Sequence, residues 1–270
     1  IFDHNEVYSV DNAETEDQMA FGGSLTILQD RPEEYEISGV VFKNSYSQHF
    51  GGAINIRGGD YHGEEGAKDL FVHITNCQFT NCTSGKQGGA IRCGFEIEND
   101  EGERQWDNDV NISHCTFTKC KAPEAGALYF QDGDEEGDEE TIVEHCIFEE
   151  CSGSRGSAIL CRSYKFSLLH SQFIGSRQVG NTAPGSEIES FLFAELNEDG
   201  VTIAVTNCTF YDNEQNVEFY SINAAPTTLE DKQNRIVFKD CNFTKNNQES
   251  NSADTILDLS YIEATKVTFE

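Results

Sequence analysis

Ten cysteines and seven histidines in 270 residues are the side chains best suited to redox or metal chemistry, and the cysteines fall at recurring places. Cys77, Cys115, Cys146, Cys208 and Cys241 make one set, Cys82, Cys120 and Cys151 a second, Cys93 and Cys161 a third. In an oxidising compartment such sets supply disulfides; reduced and buried, they act as small hydrophobes. Stacked in register, their Cβ vectors run parallel, so bridging along a set strains the bond. Stacked free thiols are therefore the first expectation, with Cys82–Cys93 and Cys151–Cys161 as the better disulfide candidates.

His114, His145 and His170 recur at one place in three successive segments, a spacing that would suit a metal site or a pH sensor. Gly39, Asn76, Asn207 and Asp240 fill the same place elsewhere, and a backbone role covers all of them. The run 132–140 is dense in carboxylates around two glycines, and Asp132, Asp134 and Asp138 offer hard oxygen ligands for weak calcium binding. It lacks the spacing of a defined calcium loop, and a solvated acidic loop is the plainer reading. No other cofactor or metal is expected. Carboxylate pairs such as Asp107/Asp109 and Asp132/Asp134 could serve acid–base chemistry, but with 48 acidic residues a pair says little. Asn81, Asn111, Asn207 and Asn242 stand in Asn-x-Ser/Thr sequons and are candidate glycan acceptors in a secreted eukaryotic protein.

The element that must position these residues is a repeat. A Phe recurs at Phe42, Phe79, Phe117, Phe148, Phe173, Phe210, Phe243 and Phe269. Two residues before it stand Val40, five Cys, Ser171 or Val267; five and seven before it stand apolar pairs such as Ile37/Tyr35, Ile74/Val72 and Val205/Ile203, a period-two strand signal. Three before it come Gly39, Asn76, His114, His145, His170, Asn207 and Asp240, residue types that tolerate a left-handed backbone. The unit thus reads as strand, one-residue corner, short strand, turn. A further arc follows at Gly51-Gly52-Ala53-Ile54, Gly88-Gly89-Ala90-Ile91, Gly126-Ala127-Leu128 and Ser157-Ala158-Ile159, with Ser221-Ile222 and Thr255-Ile256-Leu257 in the same role later. The fold expected is all-β, a right-handed parallel β-helix (solenoid) of about eight coils. Glycine-rich acidic insertions at 57–69, 94–109 and 131–140 should all leave one corner.

The formal charge of −30 argues against nucleic acid or an anionic membrane as partner, because both would repel the chain over long range. No stretch reaches the apolar length of a membrane span. The chain opens on Ile1, as a segment processed from a secreted precursor would. Crowded acidic loops repel over a Debye length of about 10 Å at 0.1 M salt. The melting temperature is therefore expected to rise from low salt to 0.5 M; a flat curve would reject the crowding.

The Gly-Gly-Ala-Ile tetrapeptides at 51–54 and 88–91 and the Phe-x-x-Asn elements Phe210/Asn213 and Phe243/Asn246 resemble the repeats of polymorphic outer membrane proteins and similar right-handed parallel β-helix surface proteins. The resemblance covers roughly 21–269 and implies an adhesive or structural surface region without catalysis. The chain lacks that family's C-terminal barrel. Enzymes of the pectin lyase and polygalacturonase kind share the architecture, but the Asp-Asp, Gly-His-Gly and Arg-x-Lys set of polygalacturonases does not occur. An enzyme is therefore not expected, and a carbohydrate-active enzyme or a trimeric receptor-binding module stand as alternatives.

In domain terms, 1–20 reads as an N-terminal arm or cap and 21–270 as one β-helix domain beginning at the Gly22-Gly23-Ser24-Leu25 arc. The segment ending at Val267 and Phe269 reads as an unfinished coil. Gly22, Gly23, Leu25, Val267 and Phe269 are thus the expected assembly residues of a secreted, cell-surface fibre built by head-to-tail stacking, with a glycan or host surface as a further partner.

Overall fold

The computed structural model describes residues 1–8, 21–28, 34–57, 70–94, 108–131, 140–162, 165–178, 190–195, 202–213, 216–220, 234–244, 257–261 and 265–269. These residues are all-β, and their strands are organised into three eight-stranded parallel sheets and two short ones. In each large sheet every strand pairs with its equivalent one repeat earlier and one repeat later, so spatial order equals chain order. Parallel neighbours need a long connection, which here passes through the other two sheets.

The first sheet holds Glu34–Ser38, Leu70–Thr75, Asn108–Ser113, Thr141–Glu144, Lys165–Leu169, Thr202–Thr206, Asn234–Lys239 and Thr265–Phe269. Its alternation is the one the apolar pairs announce: Ile37, Ile74, Ile112, Val143, Leu168, Val205 and Phe238 are in register and line the core. One residue then adopts positive φ. Gly39, Asn76, His114, His145, His170, Asn207 and Asp240 all lie between 50° and 66°, so the expected corner is present at all seven residues.

The second sheet follows this corner, with Phe2–Asp3, Val41–Lys43, Gln78–Thr80, Thr116–Thr118, Ile147–Glu149, Gln172–Ile174, Thr209–Tyr211 and Asn242–Thr244. Its central residue is the recurring Phe. The rings stack along the sheet at centroid separations of 4.6 to 5.2 Å from Phe2 to Phe243, close to the strand spacing itself, and those from Phe42 to Phe210 have no exposed surface.

The third sheet holds Leu25–Leu28, Ile54–Arg57, Ile91–Cys93, Leu128–Gln131, Ile159–Arg162, Ser190–Glu195, Asn216–Tyr220 and Leu257–Tyr261. Its strands begin after the small-residue arcs. Gly51 and Gly88 have φ of 59° and 64°, and a Cβ on Gly52 or Gly89 would lie 2.0 Å from the carbonyl oxygen of the next arc. The small residues are thus required by backbone proximity between repeats. One continuous core draws Ile54, Ile91, Leu128 and Ile159 from this sheet, the Phe column from the second, and the aliphatic column from the first.

Three expectations are corrected. Residues 1–8, read from the sequence as part of an arm or cap ahead of the β-helix, already belong to the repeat: Phe2 pairs with Phe42 and stacks on its ring, and Glu6–Val7 pairs with Tyr46–Ser47; residues 9–20 lie outside the described set. Phe269 does not continue the Phe column. It pairs with Phe238, and Val267 with Ile236, in the first sheet, because Val-Thr-Phe alternates like a long strand and no corner precedes it. Finally, the third-sheet strand that follows Phe210 is Asn216–Tyr220, and Val217, opposite Leu192 and Leu257, takes the place expected of Ile222; Ser221 and Ile222 lie outside the described residues. Each of the segments 58–69, 95–107 and 132–139 follows a third-sheet strand and precedes a first-sheet strand, at one place in the repeat as expected; their own structure lies outside the described residues.

Candidate functional site

Among the described residues, the densest polar cluster lies on the side of the third sheet facing away from the main core. Ile54 and Ile56, Ile91 and Cys93, Leu128 and Phe130, and Ile159 and Cys161 point into that core, so the alternate residues Asn55, Arg92, Tyr129 and Leu160, aligned in register, face the other way. They are nonetheless buried, Arg92 at 3% exposure and the other three at 0%. Tyr129 and Leu160 form a second small apolar cluster with Ala125. Beside them runs a bridged column of Phe50, Gln87, Glu124 and Arg155.

The two columns interlock. The Arg92 guanidinium lies 4.4 Å from the Phe50 ring centroid and 5.8 Å from that of Tyr129, a cation–π arrangement. Its Nε donates to Gln87 Oε1 at 3.0 Å and its Nη1 to the Gly94 carbonyl at 2.6 Å. Gln87 Nε2 donates to Glu124 Oε2 at 3.0 Å, and Arg155 Nη1 pairs with Glu124 Oε1 at 2.9 Å. Arg162 Nη1 donates to the Tyr129 hydroxyl, which donates in turn to Gln131 Oε1. Both oxygens of Glu124 are therefore engaged, and no second carboxylate stands in the cluster among the described residues. This arrangement links adjacent repeats to one another through side chains.

The histidines expected to share a place do so. His114, His145 and His170 are exposed and stack with centroids 4.8 Å apart and planes within 7° of parallel. Asn207 Nδ2 and His170 Nδ1 lie 2.7 Å apart. Two metal–nitrogen bonds of about 2.1 Å span at most about 4.2 Å, so parallel rings at this separation cannot share an ion without moving. Among the described residues no group of three or more His, Cys, Asp or Glu is arranged to hold a metal. Asp132, Asp134 and Asp138 lie outside the described residues.

A second left-handed corner, not anticipated from the sequence, follows the Phe strand. Asn44, Asn81, Lys119, Glu150, Gly175 and Asp212 have φ between 51° and 62°. Neighbouring side chains pair along it: Asn81 Nδ2 donates to Asn44 Oδ1 at 2.8 Å, Asn44 Nδ2 to Asp3 Oδ1 at 2.9 Å, and Lys119 faces Glu150 at 3.3 Å. The signal present was Asn44, Asn81 and Asp212 two residues after each Phe; Lys119 and Glu150 obscured it.

Of the sequons, Asn81, Asn207 and Asn242 are exposed, and Asn242 Oδ1 accepts from the hydroxyl of its own Thr244. Asn111 is the exception. It sits in the first sheet between His73 and Ile142, half-buried, with Oδ1 enclosed and without a partner. The expected assembly residues are split. Gly22 and Gly23 stand before Leu25, which pairs with Ile54, while Val267 and Phe269 continue the first sheet.

All ten cysteines are free and nine are buried, so neither Cys82–Cys93 nor Cys151–Cys161 is bridged. In the first two sets each thiol donates to carbonyls, as Cys115 Sγ does to Ile74 and Ser113 at 3.5 and 3.3 Å. Burial pushes the Cys93 thiol up to about 12, and the hydrogen bond to Cys146 raises Cys115 to about 12. A thiol whose folded pKa exceeds its unfolded value, 9.0, stabilises the fold fully below that value and loses the contribution as pH rises toward the folded one. Denaturation midpoints are therefore expected to fall between about pH 9 and pH 12. Simultaneous Cys93→Ala and Cys115→Ser replacement should flatten that fall; an unchanged alkaline limb would discount these thiols.

Comparison with family models, with curated proteins and with solved structures gives no match, so the functional reading rests on the chain's own geometry.

Proposed function

We propose that the three large sheets are the faces of a right-handed parallel β-helix of about eight coils, and that the chain serves as a structural or adhesive rod at the cell surface, without catalysis. The observation that carries this reading is the register: all three sheets advance by one strand per repeat, with the Phe, aliphatic and corner columns held in step. Parallel crossovers within a sheet are right-handed in nearly all proteins, which supports the hand. The most extensive polar cluster binds the repeats to one another, which suits a rod whose shape is its function. Exposed sequons at Asn81, Asn207 and Asn242 and a charge of −30 suit an extracellular setting. The thiol columns are compatible with an oxidising compartment, because in-register neighbours are poorly placed to bridge.

Further strands added to any of the three sheets in the internal register would lengthen the rod, so end-to-end self-association is the assembly this reading expects. Light scattering over a wide concentration range, with polyuronates incubated in parallel, tests it. Elongated species that grow with concentration and no released reducing or unsaturated ends are expected. Released ends would favour a carbohydrate-active enzyme, and a discrete trimer a receptor-binding module.

A further inference from the structure

One face of the first sheet belongs to the core, since Val72 and Ile74, Val110 and Ile112, and Ile203 and Val205 all lie in it. The alternate residues fall on the opposite face, in rows that the strand register keeps in line. Charge is sorted along these rows. The first four strands, with the residue just ahead of the fourth, place Glu34, Glu36, Asp109, Glu140 and Glu144 at alternate positions and no Lys or Arg. The last four place Lys165, Arg235, Lys239 and Lys266 there and no Asp or Glu. In a chain with 48 acidic and 18 basic residues, four cations without an anion depart from the background composition.

Within one copy this sorting is unfavourable, because like charges opposite one another on neighbouring strands repel. Arg235 and Lys266 are nonetheless Cα partners, and the Glu140 amide donates to Asp109 Oδ1 at 2.9 Å. The second corner shows the alternative, with Lys119 and Glu150 paired along the stack. A face sorted in this way is complementary to itself when turned end over end. A two-fold axis lying in the face, parallel to the strands and between the fourth and the fifth, lays the acidic half of each copy on the basic half of the other.

The middle row supplies the centre such an interface needs: Asn111, Ile142, Ser167, Ala204 and Val237 are uncharged and half-buried, with charges to either side. Eight strands at about 4.8 Å, each about 17 Å long, cover about 650 Å² per copy. Two copies would bury about 1,300 Å², within the roughly 1,200–2,000 Å² of stable interfaces. We propose that the outer face of the first sheet pairs two copies of this chain antiparallel, as a closed two-fold dimer. This pairing does not rest on the end-to-end growth described above, and unlike that growth it stops at two chains.

The test uses charge reversal in the whole 270-residue chain, made without N-glycans because Asn111 lies in the middle row. Glu34→Lys/Glu140→Lys reverses the acidic half, and Lys165→Glu/Lys266→Glu reverses the register positions that the two-fold lays opposite. Sedimentation at 0.1 M salt, where the Debye length of about 10 Å screens the net charge but not charges in contact, should give a two-chain mass for the wild type. Each variant alone should pair at least tenfold more weakly, and an equimolar mixture should recover the two-chain mass, since each reversed half then meets its complement. Recovery in the mixture also shows that both variants are folded. Net charge alone makes the opposite forecast for the first variant, which is less negative than the wild type and would associate more readily. If circular dichroism shows that a reversal unfolds the chain, Glu34→Gln/Lys165→Gln takes its place and should still weaken pairing at least tenfold. A single-chain wild type, undiminished pairing in the variants, a mixture of folded variants that stays single-chain, or growth past two chains that neither reversal affects would each overturn the dimer; the last would leave end-to-end stacking standing.

Discussion

Replacing Phe117 by Ala is expected to cost about 3–5 kcal/mol, the range of a core aromatic truncation. The ring has no exposed surface and stacks on two others, 4.9 Å from Phe79 and 4.9 Å from Phe148. Its removal therefore opens a cavity and also breaks an aromatic column at its middle, losing two ring contacts worth about 0.5–1.5 kcal/mol each. Flanking strands cannot close the gap, since Thr116 and Thr118 are fixed in register to both neighbours. Because nearest-neighbour contacts carry most of the stability of a repeat array, the loss should divide the unfolding transition, with the repeats on either side melting separately. Chemical denaturation followed by far-ultraviolet dichroism measures both effects. A loss below about 1 kcal/mol would mean that the ring column does not carry the core.

The features legible in the sequence were those in which one residue type recurs because one physical demand recurs. The Phe column and the aliphatic alternation answer to burial; the Gly, Asn, His and Asp column answers to a positive φ. All three stand in the structure at the expected residues, save that Phe269 leaves the Phe column for the first sheet. What escaped was set by pairing or by context. Phe2 has no residue three positions before it to show the corner, and it declares itself only by stacking on Phe42. Phe269 has Val267 two positions before it, which suits a Phe strand and a long strand equally; pairing with Phe238 decides.

The clamp on the third sheet was not legible in the sequence because Asn55, Arg92, Tyr129 and Leu160 share no side-chain chemistry, unlike the inward aliphatic residues of each arc. Their common property is burial on the opposite face, which depends on tertiary surroundings. Lys119, Ala125 and Glu150 likewise occupy left-handed positions against their own preference, at a cost of order 1 kcal/mol each. They are held there by the repeat: the amides of Lys119, Ala125 and Glu150 donate to Glu149, Arg155 and Ile174 on the next strand.

Two glycines that look alike in the sequence should respond in opposite ways. Gly39 has φ of 66° and open space where a Cβ would stand, and its column is filled by Asn, His or Asp in every later repeat. Gly39→Asn is therefore expected to change stability by less than about 1 kcal/mol, since Asn tolerates the left-handed region. Gly89 presents no positive φ, yet a Cβ there would lie 2.0 Å from the Gly126 carbonyl oxygen and 2.5 Å from the Lys121 amide nitrogen. Those atoms are backbone in the adjoining repeat and cannot rotate away. The Gly126 amide is itself tied to the Gly156 carbonyl at 2.9 Å, so displacing this arc strains the next one too. Gly89→Ala should then exceed the usual 1–3 kcal/mol of an overpacked core, and amide exchange should quicken in both Ile91–Cys93 and Leu128–Gln131. Comparing the two variants by denaturation and hydrogen exchange separates backbone conformation from backbone proximity as the reason for glycine. If Gly89→Ala proved as mild as Gly39→Asn, the close stacking of successive arcs would be refuted.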